Sequence, residues 1–465
     1  VTAVPAVGRR AADSRDPAAL PGALAARLTE VLGGPVEVAD LHRLTGGASR
    51  ETWSFTALPR GGAPRRLVLR RDPPGTSRPE GMAREAAAVG AAGHAGVAVP
   101  QLLDSGTDTA VLGAPYLISE FVDGEAIARR LLRDPQYAGA RAGLAAELGR
   151  TLARIHAIPV ETVPGLTAAD PLECLRQSYD ALGEPLPTIE IALRWLAKHR
   201  PDEVPEAVVH GDFRTGNLII DPAGLRAVLD WEMVHRGDPR EDLGWLCVKC
   251  WRFGSPLTAG GLGTVEQLLD GYAQVAGYRP DPEAVRWWQI YGTARWAVGC
   301  RSMAEGHLSG QTPSVELAAI GRRVCEQEHD LLLALGLPAE PADAGPPAPG
   351  SDLHGRPTAA ELVAAVSTFL REDVMAGTEG RLNFLARVAA NVLDGVEREL
   401  LFGPEQESRH RERLAAFAQA DQAGLAAAIR AGVLDPEDPA LLAAVRAAVT
   451  ERLIVANPRY LSHPA

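Results

Sequence analysis

Between Val208 and Trp231 the chain has little freedom in how it folds. Two apolar runs, Leu218-Ile219-Ile220 and Leu225 to Leu229, are separated by Asp221-Pro222-Ala223-Gly224, and Val208-Val209 leads into them through His210-Gly211-Asp212. Short apolar runs bounded by Gly, Pro and Asp read as strands joined by tight turns. The stretch therefore reads as a strand, a loop and a hairpin. Asp212 and Asn217 fall at the two ends of the loop, and Asp230 ends the last strand. Two carboxylates and a carboxamide at one point suit phosphoryl transfer, where a base orients the attacking hydroxyl and oxygen ligands hold Mg²⁺ on a nucleotide. Asp212 is the expected base, and Asn217 and Asp230 are the expected metal ligands. The competing reading is a hairpin with solvated turn residues, disfavoured because so many residue types fall in register.

Val209-His210-Gly211-Asp212-Phe213-Arg214-Thr215-Gly216-Asn217 and Val228-Leu229-Asp230-Trp231-Glu232 resemble the aminoglycoside phosphotransferase and choline kinase group. In these relatives of protein kinases, His-Gly-Asp replaces His-Arg-Asp and Leu-Asp-Trp/Phe-Glu replaces Asp-Phe-Gly. Gly237-Asp238-Pro239-Arg240-Glu241-Asp242-Leu243-Gly244-Trp245 is similar to the same family. The resemblance covers roughly residues 30 to 335 and implies an α+β, bilobal protein-kinase-like domain. It adds His210 and Arg214 to the catalytic set. It has Asp242 hydrogen-bonding the catalytic loop from a helix start while Asp238 and Pro239 shape the turn. ATP, with GTP as the alternative, and Mg²⁺ are the implied donor and cofactor.

Such an enzyme also needs a phosphate-facing cation, a paired glutamate and a glycine-bearing turn over the nucleotide. Leu44-Thr45-Gly46-Gly47-Ala48-Ser49-Arg50 reads as that turn, with Gly47 and Ser49 facing phosphate oxygens. The bland reading of this pair of glycines is an ordinary hairpin. Lysine occurs only at Lys198 and Lys249, so the cation from this region has to be arginine. In Leu67-Val68-Leu69-Arg70-Arg71, Arg70 is the expected phosphate clasp, and alternation turns Arg71 to the opposite, solvated face. Glu85, at the start of the apolar helical run Ala86 to Ala92, is the expected partner of Arg70; the bland reading is an exposed helix carboxylate. Pro115 to Gly124 reads as a buried strand entering a turn. The resemblance makes this the link between lobes, with Glu120 and Val122 binding the purine through the main chain.

The 465 residues are 46% hydrophobic, enough for several cores, and the net charge of −12 argues against a general nucleic-acid binder. There is no run of eighteen apolar residues. Residues 1 to 20 carry Arg9, Arg10, Asp13, Arg15 and Asp16 without a signal-like apolar core, so a cytoplasmic location with no membrane partner is expected. Five cysteines suit a reducing compartment, and Cys247-Val248-Lys249-Cys250 reads as buried helix rather than half a zinc site.

Helical spacing marks Ala140 to Ile155, Val265 to Val275 and Pro282 to Ala304. His156 reads as packing or capping. Trp287, Tyr291, Arg295 and Trp296 are weighed as core against the acceptor wall that the resemblance implies. Leu337 to Pro357 holds Pro338, Pro341, Pro346, Pro347, Pro349 and Pro357 and reads as a linker. Thr358-Ala359-Ala360-Glu361 then reads as a capping box. Helical faces follow through Leu362, Val366 and Phe369, through Leu382 to Leu400, and through Leu441 to Leu453, with Asn383, Arg387 and Asn391 on a polar stripe. The expected organisation is an N-terminal extension (1–29), an N-terminal lobe (30–125), a C-terminal lobe (126–336), the linker (337–357) and an all-α domain (358–465) able to stand alone. The expected activity is transfer of a nucleotide γ-phosphate to a small-molecule hydroxyl. Val68-Leu69-Arg70-Arg71-Asp72-Pro73-Pro74-Gly75 resembles the kinase domains associated with acyl-CoA dehydrogenases, which implies a hydroxyacyl-CoA-type acceptor. Aminoglycosides, choline and sugars are the alternatives, and a nucleotide-binding pseudokinase or scaffold is the alternative of another class. The sequence does not specify oligomeric state.

Overall fold

The computed structural model describes residues 19–44, 50–73, 77–341, 344–348 and 354–462. They divide into two compact units. The first takes the described residues of Val1–Ala168 with Pro205–Asp242 and Glu266–Arg279; the second takes those of Ala169–Val204, Leu243–Val265 and Pro280–Ala465. The expected α+β class is found, strands and helices in the first unit and helices in the second.

The first unit opens with the helix Leu20–Leu32, which falls largely within the expected N-terminal extension. Its Leu20, Leu24 and Leu28, one turn apart, are fully buried against strand residues Val36, Phe55, Leu67 and Leu69. The sheet has strands β1 (Val36–Arg43), β2 (Glu51–Pro59), β3 (Arg65–Arg71), β4 (Leu102–Gly106) and β5 (Tyr116–Glu120) in the order β1-β2-β3-β5-β4, all pairs antiparallel. The helix Pro79–His94, entered through a proline at its first turn, carries Glu85.

After β5 the chain is pinned to the hairpin at 218–228: Glu125 N–H donates to Ile220 O at 2.8 Å and Ile220 N–H to Glu125 O at 3.0 Å. Strand β6 (Ala207–Val209) pairs with β9 (His235–Gly237), and β7 (Leu218–Asp221) with β8 (Gly224–Val228). The Asp221 carboxylate accepts from Ala223 N and Gly224 N, closing the predicted turn. The helices Ala138–His156 and Val265–Ala276 cross at two glycines. A Cβ on Gly149 would lie 2.0 Å from Leu268 O, and one on Gly271 2.1 Å from Ala146 O. Only glycine permits this backbone approach, which brings His156 and Tyr272 together.

In the second unit, the helices Pro171–Ala181, Pro187–Lys198 and Pro282–Leu308 bury a core containing Leu175, Tyr179, Ile189, Trp287, Trp288 and Tyr291. Capping at the predicted Thr358 is present in both directions, opening the helix Ala359–Phe369. The tail departs from the sequence reading in two ways. Leu362, Val366 and Phe369 are exposed, because Ser367 is what that helix turns toward the long helix Gly380–Ala416, donating to Ala390 O and Asp394 Oδ1. The tail also does not bury its faces alone. Leu414, Ile429, Leu441, Val445 and Leu453 form one core with Ile191, Cys325 and Leu332, and Leu337 of the expected linker packs on it. Lys249 Nζ lies 3.3 Å from Asp330 and 5.0 Å from the centroid of the Tyr460 ring, whose hydroxyl donates to Asp330 at 2.6 Å. Polar ties of this kind fasten the tail at the edge of that core. Cys247 and Cys250 are buried, and no disulfide is found among the described residues.

Candidate active site

The loop after β6 is shaped by Gly211, at φ 81°, where a Cβ would fall 2.5 Å from Met233 O. The left-handed backbone and the contact together admit only glycine. The loop then hangs on Asp242 in the first turn of the helix Arg240–Leu246. One carboxylate oxygen accepts His210 N–H at 2.8 Å and the other accepts Gly211 N–H at 2.9 Å. Asp242 is fully buried, which favours the neutral acid, yet His156 Nε2 at 3.1 Å and these backbone donors hold its pKa below the usual range. His156 Nδ1 meets Tyr272 Oη at 3.0 Å, so the helix-end histidine orients the carboxylate supporting the loop. Packing or capping, the reading of His156 from sequence, names neither of these partners.

His210 is buried and its pKa is lowered by burial, although Asp242 and Asp212 pull the other way. Its Nε2 lies 3.1 Å from Leu229 O. Leu229 N–H in turn donates to Asn217 O at 2.8 Å, so the loop after β6 and the end of β8 are locked through the residue before Asp230. Asn217 Nδ2 donates to Asp212 Oδ2 at 2.6 Å and Asp212 O at 2.9 Å, while Arg214 Nε lies 3.0 and 3.3 Å from the two Asp212 carboxylate oxygens. Asp212 is thus fixed from two sides. Asp238 is bound by its neighbour Arg240, whose backbone N–H and guanidinium both donate to it.

Asp230 sits at φ 66°, a left-handed conformation that Asp tolerates better than most residues. Its carboxylate accepts from Arg70 Nη2 at 2.7 Å, and Arg70 Nη1 donates to Glu85 at 2.7 Å. Arg70 therefore ties β3 and the helix Pro79–His94 to the end of β8. Burial works against its charge, but Glu85 and Asp230 outweigh it and raise the pKa. Burial raises Glu85 despite Arg70 and Arg50; it would also raise Asp230, but Arg70 prevails there and keeps that carboxylate low.

Arg71 differs from expectation, and Arg50 makes contacts for which there was no expectation from sequence. Arg71 is not solvated: it is 1% exposed, with Nε 2.9 Å from Glu51 and Nη1 donating to Leu112 O at 2.9 Å. Glu51 stands directly opposite it in the β2–β3 register, and the apolar cover of the sheet encloses both. Arg50, quoted within the turn sequence but given no role, is buried, hydrogen-bonds Glu85, and lies 3.7 Å from Asp72 and 3.6 Å from Glu232. A cation immediately after a glycine-bearing turn was the available signal.

Gly47 and Ser49 lie outside the described residues. Glu120 ends β5, donates its backbone N–H to Gln101 O at 2.9 Å and pairs its side chain with Arg65; Val122 follows, part-buried. Trp287 and Tyr291 are core residues of the second unit, and Trp287 Nε1 donates to Leu196 O. Arg295 lies over the Trp245 ring at 4.7 Å and Trp296 packs on Trp251; both keep partial exposure.

The donor set fits Mg²⁺. Asn217 turns its NH₂ to Asp212, leaving its carbonyl oxygen to act as a ligand, and Asp230 is held as a carboxylate. No cluster of three or more His, Cys, Asp or Glu able to hold a metal occurs among the described residues, so nucleotide phosphates and water would complete the shell. None of the described helices is long and apolar enough to cross a membrane.

A profile described as "Phosphotransferase enzyme family" matches residues 40–288, and one described as "Domain of unknown function (DUF6285)" matches residues 376–460. Acyl-CoA dehydrogenase family member 10 of Mus musculus is 29% identical over 286 residues, covering 56% of this chain and 26% of that protein. Acyl-CoA dehydrogenase family member 11 of Pongo abelii is 31% identical over 239 residues, covering 45% and 30%. The chain thus spans between about a quarter and a third of the length of these two relatives. A solved structure from Ralstonia eutropha, assigned as an aminoglycoside phosphotransferase, aligns with a TM-score of 0.54 and 22% identity, covering 68% of this chain and 98% of that one. This likeness shows a shared kinase-like fold.

Proposed function

Because the chain belongs to the phosphotransferase enzyme family, we propose that it moves the γ-phosphoryl group of ATP, with GTP as the alternative donor, to a hydroxyl of a small molecule. The observation that carries this reading is one connected site: Asp212 fixed by Asn217 and Arg214, locked through Leu229 to Asp230, which Arg70 joins to Glu85. Asp212 is the base that orients the acceptor hydroxyl and takes its proton, and its bonds to Asn217 and Arg214 set the direction of the carboxylate. Arg70, with Glu85 behind it, presents a fork of donors to phosphate oxygens. Asn217 and Asp230 are the residues that would hold Mg²⁺, which when bound neutralises phosphate charge. Gly47 and Ser49 stay assigned to the phosphates and the main chain at Glu120 and Val122 to the purine. Asp242, His156 and Gly211 keep the loop in place without touching the reacting atoms.

For the acceptor we favour a hydroxyacyl-CoA-type metabolite. The stretch Val68 to Gly75 supports this, as do the two relatives that carry acyl-CoA dehydrogenase in their names. Arg295 and Trp296 are the acceptor-site candidates that keep exposed surface. A cytoplasmic setting, with ATP and reduced thiols, fits the reading.

The test is ADP or GDP release by the full chain with Mg²⁺, across hydroxyacyl-CoAs, aminoglycosides, choline and sugars. Acceptor-dependent release supports phosphotransfer and names the acceptor class. Thermal stabilisation by nucleotide with no turnover on any acceptor would instead make the chain a nucleotide-binding pseudokinase, and no stabilisation at all would overturn nucleotide binding itself.

A further inference from the structure

The second unit contains a cavity of about 760 Å³ that includes none of the residues assigned to phosphoryl transfer. That volume lies in the range of small-molecule sites, roughly 300 to 1,000 Å³. Leu186, Ile189 and Val298 form one apolar wall, and Leu400, Val455 and Ala456, from the segment matched by the domain of unknown function, form the other.

Its charge is uneven. Glutamates outnumber arginines five to three in the lining. Each arginine is already matched: Arg301 to Glu184 at 2.5 Å, Arg322 to Glu399 at 2.9 Å and Arg452 to Glu328 at 2.8 Å. Among the described residues, Glu407 has no cationic partner. His410 adds no compensating charge, since burial, with Arg452 and Arg413 nearby, lowers its pKa.

The backbone here adds an acceptor and room. Gly403 and Pro404, the two poorest helix formers, stand side by side within the helix Gly380–Ala416 where it lines the cavity. Proline has no N–H to return to the carbonyl four residues earlier, so the Leu400 C=O loses its helical donor. A Cβ on Gly403 would meet nothing nearer than Glu399 Cγ at 3.9 Å, so space, rather than a steric need for glycine, is what this position provides.

We infer that this cavity is a binding site for a small amphipathic amine, its apolar body between the Leu186 and Leu400 walls and its ammonium group at Glu407 and the Leu400 carbonyl. An unmatched carboxylate and a carbonyl whose residue four positions on has no N–H both accept hydrogen bonds from a cation, and both repel a carboxylate head group.

The test uses the full chain and three probes with one chain length: octylammonium, octan-1-ol and octanoate, titrated by calorimetry. Octylammonium is expected to bind tightest, by roughly tenfold over each of the others. Gly403→Phe fills the space from a position with room for it and is expected to lower octylammonium affinity by about tenfold or more while melting no lower than the parent. Glu407→Gln, an exposed change, is expected to bring octylammonium close to octan-1-ol. The melting temperature and helical circular dichroism of each variant check that it is folded. Octanoate binding as tightly as octylammonium, no binding by any probe, or undiminished octylammonium binding in a folded Gly403→Phe overturns the site. Should Gly403→Phe melt well below the parent, Glu407→Gln decides, and an unchanged preference for the ammonium probe counts against it.

Discussion

Arg70 and Arg71 are neighbours on one strand with different environments, and their substitutions should separate cleanly. Arg70 is part-buried between Glu85 and Asp230, so Arg70→Ala should weaken nucleotide binding by about tenfold or more, the equivalent of one or more charged hydrogen bonds. Arg71→Ala leaves buried Glu51 with only the exposed Arg43, 3.5 Å away, and should cost about 2 to 3 kcal/mol of stability with little change in nucleotide affinity. Nucleotide titration beside urea unfolding of both variants checks this, and equal losses of affinity would contradict the assignment. Asp212→Asn should lower turnover by roughly 10²- to 10⁴-fold while nucleotide still raises the melting temperature, because the base acts on the acceptor hydroxyl. Turnover near the parental rate would remove Asp212 from that role. Arg70 itself was legible, since no lysine is available before Lys198. The burial of Arg71 was not, because strand alternation says which face a residue takes but not what covers that face.

At the scale of elements, β6 leads into the loop carrying Asp212 and pairs with β9, where His235 meets Glu241 of the helix Arg240–Leu246. Burial alone would lower the His235 pKa, but Glu241, 3.1 Å away, raises it to about 9. A pKa raised on folding means that this contribution is complete below about pH 6.5 and is lost as pH climbs through about 9. Unfolding free energy should therefore fall across that window by up to about 1.4 kcal/mol per pH unit from this histidine. His235→Asn should flatten that part of the curve. A slope identical to the parent's would show that another group titrates. Legibility here followed range: the hairpin β7–β8, its Asp221 turn and the Thr358 capping box are local and were read correctly. The triangle of His156, Tyr272 and Asp242 joins three distant segments through the Gly149–Gly271 crossing, and no spacing in the sequence announces it.

For the molecule as a whole, the second unit reverses one expectation. A tail able to stand alone would let residues 1–340 fold without it. Instead Ile191, Cys325 and Leu332 are buried with Leu414, Ile429 and Leu441 in a common core. Uncovering three such side chains costs roughly 1.5 to 3 kcal/mol each, comparable with the roughly 5 to 15 kcal/mol that holds a domain folded. A chain ending at residue 340 should aggregate or melt far below the full protein, by light scattering and calorimetry. A soluble fragment with parental melting would show that the shared core is dispensable.

The chain by itself determined which side chains meet around Asp212. Residue types and short spacings place Asp212, Asn217 and Asp230 on one loop and the hairpin that follows it, because turn geometry delivers them together whatever surrounds it, and the scarcity of lysine leaves arginine as the cation on β3. Apolar periodicity likewise determined where most helices run. Which helix faces are covered, and by what, was decided only by the tertiary structure. A leucine stripe is equally apolar whether it meets its own domain, a neighbouring segment or solvent, as Leu362 and Leu441 show from opposite sides. Burial also determines the meaning of a charge, since Arg70 and Arg71 are the same side chain until a neighbouring carboxylate and the loss of water distinguish them.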